Sequence, residues 1–378
     1  MAGIYVHIPF CRQACTYCDF HFSTNLSRKS DLADAIAQEA TLQTGFFPEN
    51  TPIETVYFGG GTPSLLEPSE FRTIVQSIKN HLGWSQQGEF TVECNPDDLD
   101  EAKLRGLRKL GVNRLSIGVQ SFIDRDLKLM GRYHNALEAF HSIQRAQQAG
   151  FRNLTVDLIY GIPGLTHNEW RANVQTLVNS GVPHVSAYAL TVEDKTALAH
   201  QVARDQVAMP RDEVYTSQFF TLIDMLTAAG YEHYELSNFA LPGYRSQHNS
   251  AYWEGVPYLG LGPSAHSFRD GKRSWHIANN ARYLKAVQAG ELAVAEVETM
   301  SRVDRVNEFL LTQLRRTAGV NRAQFRDRFG YDPVEAQAAV IADFVEQGWM
   351  EITEERFWLT REGLMESYHV IGELFLEG

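Results

Sequence analysis

Ile4-Tyr5-Val6-His7-Ile8 leads through Pro9 and Phe10 into Cys11-Arg12-Gln13-Ala14-Cys15-Thr16-Tyr17-Cys18. The first five residues are β-branched, aromatic or apolar enough to read as a short strand. The loop that follows packs three cysteines into eight residues with C-x3-C-x2-C spacing. Three thiolates on one short loop can converge on a soft metal centre. A four-iron cluster held by three thiolates keeps one iron free for a small molecule. A structural zinc would need a fourth ligand, for which Cys94, His7 and His21 are candidates. Free thiols are the third reading. The spacing favours the cluster, because zinc ligands usually come as two separated pairs.

Five further β-rich runs follow, at residues 55–58, 90–94, 114–119, 154–159 and 185–190. Helical patterns lie between them, for example at 31–44 and 71–82. Strands alternating with helices predict a parallel sheet. Six units fall two short of an eightfold barrel, so the expected architecture is α/β, a partial (β/α)6 barrel, with an open doubly wound sheet as the alternative. Glycine or polar residues follow nearly every strand, as in Gly59-Gly60-Gly61, Asn95-Pro96, Gln120-Ser121 and Gly161-Ile162-Pro163-Gly164. That is the end at which α/β folds carry their ligand loops.

The pattern changes twice more. Residues 231–300 are rich in Tyr, His, Asn, Gly and Trp and read as an irregular connecting segment. In 301–378, helical patterns at 303–315, 322–329 and 333–347 precede two short β runs at 350–352 and 357–359, the outline of a small winged-helix-like α+β domain. The expected division is therefore 1–230, 231–300 and 301–378. The last segment carries nine basic and 14 acidic side chains, the wrong sign for gripping phosphates.

Composition closes off other classes. Of 378 residues, 44% are hydrophobic and 21% charged, so the chain can bury a core and is not disordered. A net charge of −12 argues against nucleic acid as a partner. No run of 18 apolar residues is present and Met1–Cys11 lacks the marks of a secretory signal. Four cysteines, the three above and Cys94, are too few for a disulfide scaffold. A cytoplasmic protein is expected.

C-x3-C-x2-C with an aromatic just before the last cysteine resembles the radical S-adenosylmethionine (SAM) superfamily. Tyr5-Val6-His7-Ile8-Pro9-Phe10-Cys11, Phe58-Gly59-Gly60-Gly61-Thr62-Pro63-Ser64 and Leu259-Gly260-Leu261-Gly262-Pro263-Ser264-Ala265-His266 narrow the resemblance to one branch. It holds the oxygen-independent coproporphyrinogen III oxidases and the HemW-type haem chaperones, and the likeness spans essentially the whole chain. It implies a 4Fe-4S cluster on Cys11, Cys15 and Cys18, and SAM chelating the open iron through its amino and carboxylate groups. Reduction then cleaves a C–S bond to give a 5′-deoxyadenosyl radical. The positions that would contact SAM are Tyr5, Tyr17, Gly60, Gly61, Thr62, Glu93, Gln120, Arg132 and Asp157. His266, at a place that tends to be aliphatic in the oxidases, joins them as a cofactor-binding residue.

The residues themselves fit such roles. Three glycines let a backbone approach a ligand closely, or merely turn tightly. Asp157 sits in an apolar run and is costly to bury unpaired; Arg132 is a natural partner. Side chains alternate along a strand, so Glu93 is expected to face the interior and Cys94 the packed core.

Two departures from the oxidases bear on function. They carry an extra cysteine two positions after the third, where this chain has Phe20. With four residues ahead of Tyr5, their longer N-terminal segment is expected to be absent. In their place, His248-Asn249-Ser250-Ala251-Tyr252-Trp253 reads H-N-x-x-Y-W, similar to the haem-binding run of the chaperones. Imidazole is a common axial ligand of haem iron, Tyr252 would share a helix face with His248, and Trp253 offers a flat apolar surface. On residue type and spacing alone, a polar loop with a buried Trp is the competing reading. The expectation is a haem chaperone that binds haem, SAM and a cluster and delivers haem to haem-dependent respiratory proteins. Any membrane contact would be peripheral, through a partner. The alternative is the oxidase, which turns two propionates into vinyl groups; whether the chain is an enzyme stays open, and no catalytic residue is assigned.

Overall fold

The computed structural model describes residues 1–377. Its first half repeats one unit six times: β1 (Ala2–Ile8), α1 (Lys29–Leu42), β2 (Ile53–Gly60), α2 (Pro68–Leu82), β3 (Glu89–Cys94), α3 (Glu101–Lys109), β4 (Arg114–Gln120), α4 (Asp124–Leu129) with α5 (Ala136–Gln148), β5 (Asn153–Tyr160), α6 (His167–Asn179) and β6 (His184–Ala189). The six strands are parallel neighbours in chain order. A doubly wound sheet would reverse that order at a switch point. Here it never reverses, so the crossovers keep one hand and the helices one face. This is a partial barrel.

Side-chain alternation separates its two faces. Ile4, Val6, Val56, Phe58, Val92, Leu115, Ile117, Val156 and Val185 are fully buried under the helices. The residues between them, Tyr5, Tyr57, Thr91, Glu93, Arg114, Ser116, Thr155, Asp157 and Ser186, are polar or aromatic and line the interior. Cys94 lies on the apolar face, in the core. Capping boxes start α2, α5 and α6.

The segment 231–300 is more regular than its composition suggests. After α7 (Ala197–Ala203) and α8 (Asp212–Ala228) come β7 (Glu232–Glu235), β8 (Asn238–Ala240), α9 (Gln247–Trp253), β9 (Tyr258–Leu261), β10 (His266–Arg269), β11 (Lys272–His276), α10 (Asn280–Gln288) and β12 (Val294–Thr299). β8 and β7 extend the sheet beyond β6, and β9 to β12 extend it beyond β1, making 12 strands in all. The strands are three to six residues long, and β7, β9, β10 and β11 carry His, Tyr or Gly. That composition hid them from a reading that looks for β-rich runs.

A small unit follows: α11 (Arg302–Leu314), β13 (Val320–Asn321), α12 (Arg322–Phe329), α13 (Pro333–Ala336), α14 (Ala338–Glu346) and the hairpin β14 (Met350–Ile352) and β15 (Arg356–Leu359). β13 adds a third strand beside β15, and the helix expected over 333–347 breaks at Gln337. Among the described residues no helix is long and apolar enough to cross a membrane.

Candidate functional site

A cavity of about 570 Å³ opens at the carboxyl ends of the strands. The loop after β1 brings Cys11, Cys15, Tyr17 and Cys18 to its wall. Gly60, Gly61 and Thr62 come from the end of β2, Glu93 from β3, Gln120 from β4, Arg132 from the loop after α4 and Asp157 from β5. Nearly all the expected cofactor residues are therefore brought to one place.

The cysteines stand in a mixed field. The Thr62 hydroxyl lies 3.5 Å from Cys11 Sγ, and an Arg132 Nη lies 3.4 Å from Cys15 Sγ. Burial raises the Cys11 thiol and pushes Cys18 up to about 11. No three Cys, His, Asp or Glu side chains among the described residues close around a single metal ion. Three thiols spread along one wall suit a multi-iron cluster better than the closed tetrahedron of structural zinc.

The glycine loop passes closely over β1. Gly60 has φ of 107°, and a Cβ there would lie 2.7 Å from the His7 ring. Its N–H donates to Glu93 Oε2 at 3.2 Å, while the Tyr57 hydroxyl donates to Oε1 at 2.7 Å. Burial still outweighs these bonds and raises Glu93 to about 7. Gln120 adopts φ of 69° at a bulge in the β4–β5 pairing, where its side chain lines the cavity.

Asp157 and Arg132 do not pair as expected. Arg132 donates to Asn95 Oδ1 at 2.7 Å and to the Gly118 carbonyl at 2.8 Å, besides its contact with Cys15. Asp157 instead accepts from Ser116 on the next strand, at 3.3 and 3.4 Å. Burial raises it to about 6. Asn95, from the loop after β3, and the Gly118 carbonyl hold the guanidinium beside Cys15. Asn95 also donates to Thr62 Oγ1 at 3.3 Å. From sequence Asn95 was placed only at the ligand-loop end of a strand, and Tyr57 was given no role. A tyrosine between buried Val56 and Phe58 was the available signal for Tyr57.

The H-N-x-x-Y-W run is α9, and it forms the floor of the barrel. Ser246 caps it, accepting from Asn249 N–H. Glu89, at the start of β3, accepts from the N–H groups of Gln247 at 3.1 Å and His248 at 3.0 Å. Glu89 itself pairs with Arg114 at 3.4 Å, both side chains buried. His248 is 2% exposed. Its Nδ1 shares a hydrogen bond with Thr55 Oγ1 at 2.7 Å, and its Nε2 one with the Tyr252 hydroxyl at 2.9 Å. Its ring stacks on Tyr57. Asn249 lines a small interior cavity of about 50 Å³ together with Glu93 and Asp157.

Both ring nitrogens of His248 are thus engaged within the floor. Trp253 is the last residue of α9. It turns to the C-terminal unit, where Arg315 covers its ring at 5.2 Å and Gln313 donates to its carbonyl at 2.6 Å. His266 lies outside the cavity wall. It is exposed at the start of β10, its ring stacked on Trp275 at 5.6 Å.

Comparison with known proteins agrees with the barrel and the small unit. Residues 5–177 match the Radical SAM superfamily, and residues 300–365 match the HemN C-terminal domain. The chain is 32% identical over 374 residues to "Heme chaperone HemW" of Bacillus subtilis, covering 98% of each chain. It is 34% identical to the protein of that name from Mycobacterium tuberculosis, covering 96% of this chain and 91% of that one. Among solved structures, coproporphyrinogen III oxidase (HemN) from Escherichia coli superposes with a TM-score of 0.86 at 21% identity, over 99% of this chain and 90% of that one. At that identity the likeness speaks for the fold.

Proposed function

We propose, for a chain that belongs to the HemW family of the radical SAM superfamily, that its work is to bind haem and pass it to haem-dependent proteins. The observation that carries this reading is similarity over essentially the full length to proteins named haem chaperones. As a radical SAM protein it carries a 4Fe-4S cluster and SAM. Cys11, Cys15 and Cys18 would hold the cluster. Tyr17, Gly60, Gly61, Thr62, Glu93, Gln120, Arg132 and Asp157 would surround SAM, with Tyr5 behind Glu93.

This chain's own residues prepare that pocket. Arg132 is fixed by Asn95 and Gly118 and brings positive charge to the thiolate wall. Glu93 is held by Tyr57 and Gly60, so its carboxylate is in place before an amine or ribose hydroxyl arrives. Phe20, where the oxidases carry a further cysteine, is 67% exposed at the cavity rim and supports carriage over decarboxylation.

The recipients would be respiratory haem proteins, reached in the cytoplasm. Contact with a membrane would come through the recipient, and nucleic acid is no partner. The test pairs two measurements on one anaerobically reconstituted preparation. Haem titration should saturate, and incubation with coproporphyrinogen III, SAM and reductant should yield no protoporphyrinogen. Turnover of the porphyrinogen would overturn the reading.

A further inference from the structure

The 12-stranded sheet has two ends, and they differ. At one, β7 is covered by the small C-terminal unit through main-chain bonds. Leu236 N–H donates to the Arg315 carbonyl at 2.9 Å, and Glu235 and Arg316 form an antiparallel bridge. Glu235 also pairs with the Arg315 guanidinium at 3.0 Å. At the other end, β12 pairs with β11 on one side and, among the described residues, with no strand on the other. All six of its residues are exposed. An open edge is a row of unpaired N–H and C=O groups, ready to accept another strand.

The residues of β12 decide what such a strand can be. Val294-Ala295-Glu296-Val297-Glu298-Thr299 holds neither lysine nor proline, the residues that commonly block an edge. Register puts Glu296 opposite Trp275 and Glu298 opposite Arg273, so the two carboxylates share one face. Val297 lies opposite Ser274 on the other face. The register shift between Trp275 and His276 brings Val294, opposite His276, to the same side as Val297. Val297 is 58% exposed and Val294 37%. Arg273 is already paired with Glu308, and neither Glu296 nor Glu298 has a basic partner among the described residues. A second copy of the chain is a poor occupant. Antiparallel pairing of two β12 strands about a two-fold axis sets residues of one face opposite residues of that same face. The registers that align most of the strand then place Glu296 opposite Glu296 or opposite Glu298. Like charges directly opposite destabilise a strand pair.

We propose that β12 is a docking edge for an extended, basic segment of a partner protein, which adds to the sheet as one further strand. Main-chain hydrogen bonds supply the grip, and alternate side chains supply the choice. Lysine or arginine at every second position meets Glu296 and Glu298. β-Branched residues between them cover Val294 and Val297. The same two carboxylates that repel a second copy therefore select a basic strand. The chain's net charge of −12 draws such a segment in. No residue of β12 lines the large cavity, so this edge is separate from the site described above. The inference is independent of haem carriage.

The test uses the full chain with its cluster reconstituted and a short fluorescent peptide that alternates lysine with valine. This peptide should bind about tenfold more tightly than one with glutamate in place of lysine, and hydrogen exchange in β12 should slow as it binds. The same peptide N-methylated throughout, which keeps its charge but has no N–H to donate, should give β12 no protection. Glu296→Lys combined with Glu298→Lys, both at exposed positions, should reverse the preference toward the glutamate peptide. Wild-type protein that binds the two peptides alike would overturn the proposal, as would lysine-peptide binding with no slowing of exchange in β12. Protection of β12 that rises with protein concentration in the absence of peptide would make a second copy the occupant and overturn it too.

Discussion

The imidazole of His248 lies parallel to the ring of Tyr57, 21° between planes and 4.9 Å between centroids, and the Tyr57 hydroxyl donates to Glu93. The H-N-x-x-Y-W helix is thereby joined to the Glu93 carboxylate in the cavity at the carboxyl ends of the strands. Thr55 and Tyr252 hold the imidazole from either side, so Tyr57 has one orientation and Glu93 one position. A bond to a charged acceptor contributes about 1.5–3 kcal/mol. Tyr57→Phe should therefore weaken SAM binding by about tenfold, read as the SAM-induced change in the spectrum of the reduced cluster. SAM affinity unchanged in Tyr57→Phe would show that Glu93 needs no such support.

Glu93 also sets a pH dependence. Burial raises its folded pKa to about 7, above the value of an unfolded glutamate. The stability this group contributes is full at low pH, where both states are protonated, and is lost as pH rises through about 7. The ligand-free protein should lose on the order of a few kcal/mol between pH 5 and 8, and Glu93→Gln should flatten that part of the melting-temperature profile. Asp157, raised to about 6, adds in the same direction. A wild-type profile that rises over this window would contradict the assignment.

Glu89 answers for two buried features at once. It neutralises Arg114 and accepts the first N–H groups of α9. Removing one partner of a buried pair costs about 3–5 kcal/mol. Glu89→Leu should lower stability by that amount in denaturant unfolding and raise hydrogen exchange in α9. Unchanged exchange there would mean that Ser246 alone holds the helix start.

Single replacement of Cys11, Cys15 or Cys18 by Ala should abolish brown colour and acid-labile sulfide while leaving the far-ultraviolet circular dichroism unchanged. The loop lies outside the apolar core and its thiols are only partly buried. Cys94→Ala should instead keep the cluster and cost about 1 kcal/mol of stability as a small cavity forms in the core. Retention of a full cluster in any of the three loop variants would remove that cysteine from the ligand set.

Local pattern carried much of this protein. β-rich runs marked β1 to β6, and alternation along β3 separated Glu93 from Cys94, because a strand's two faces are written into neighbouring residues. The cysteine spacing marked one loop for metal, because ligands within eight residues need no distant partner to converge. Distant pairing decided the rest. Whether His248 is free or bound depends on Thr55, 193 residues away in sequence, and on Tyr57 beneath it. Arg132 bonds to Asn95, on the loop after β3, and not to Asp157. The strands of 231–300 are short and polar, and they gain their regularity only from hydrogen bonding to a sheet already built.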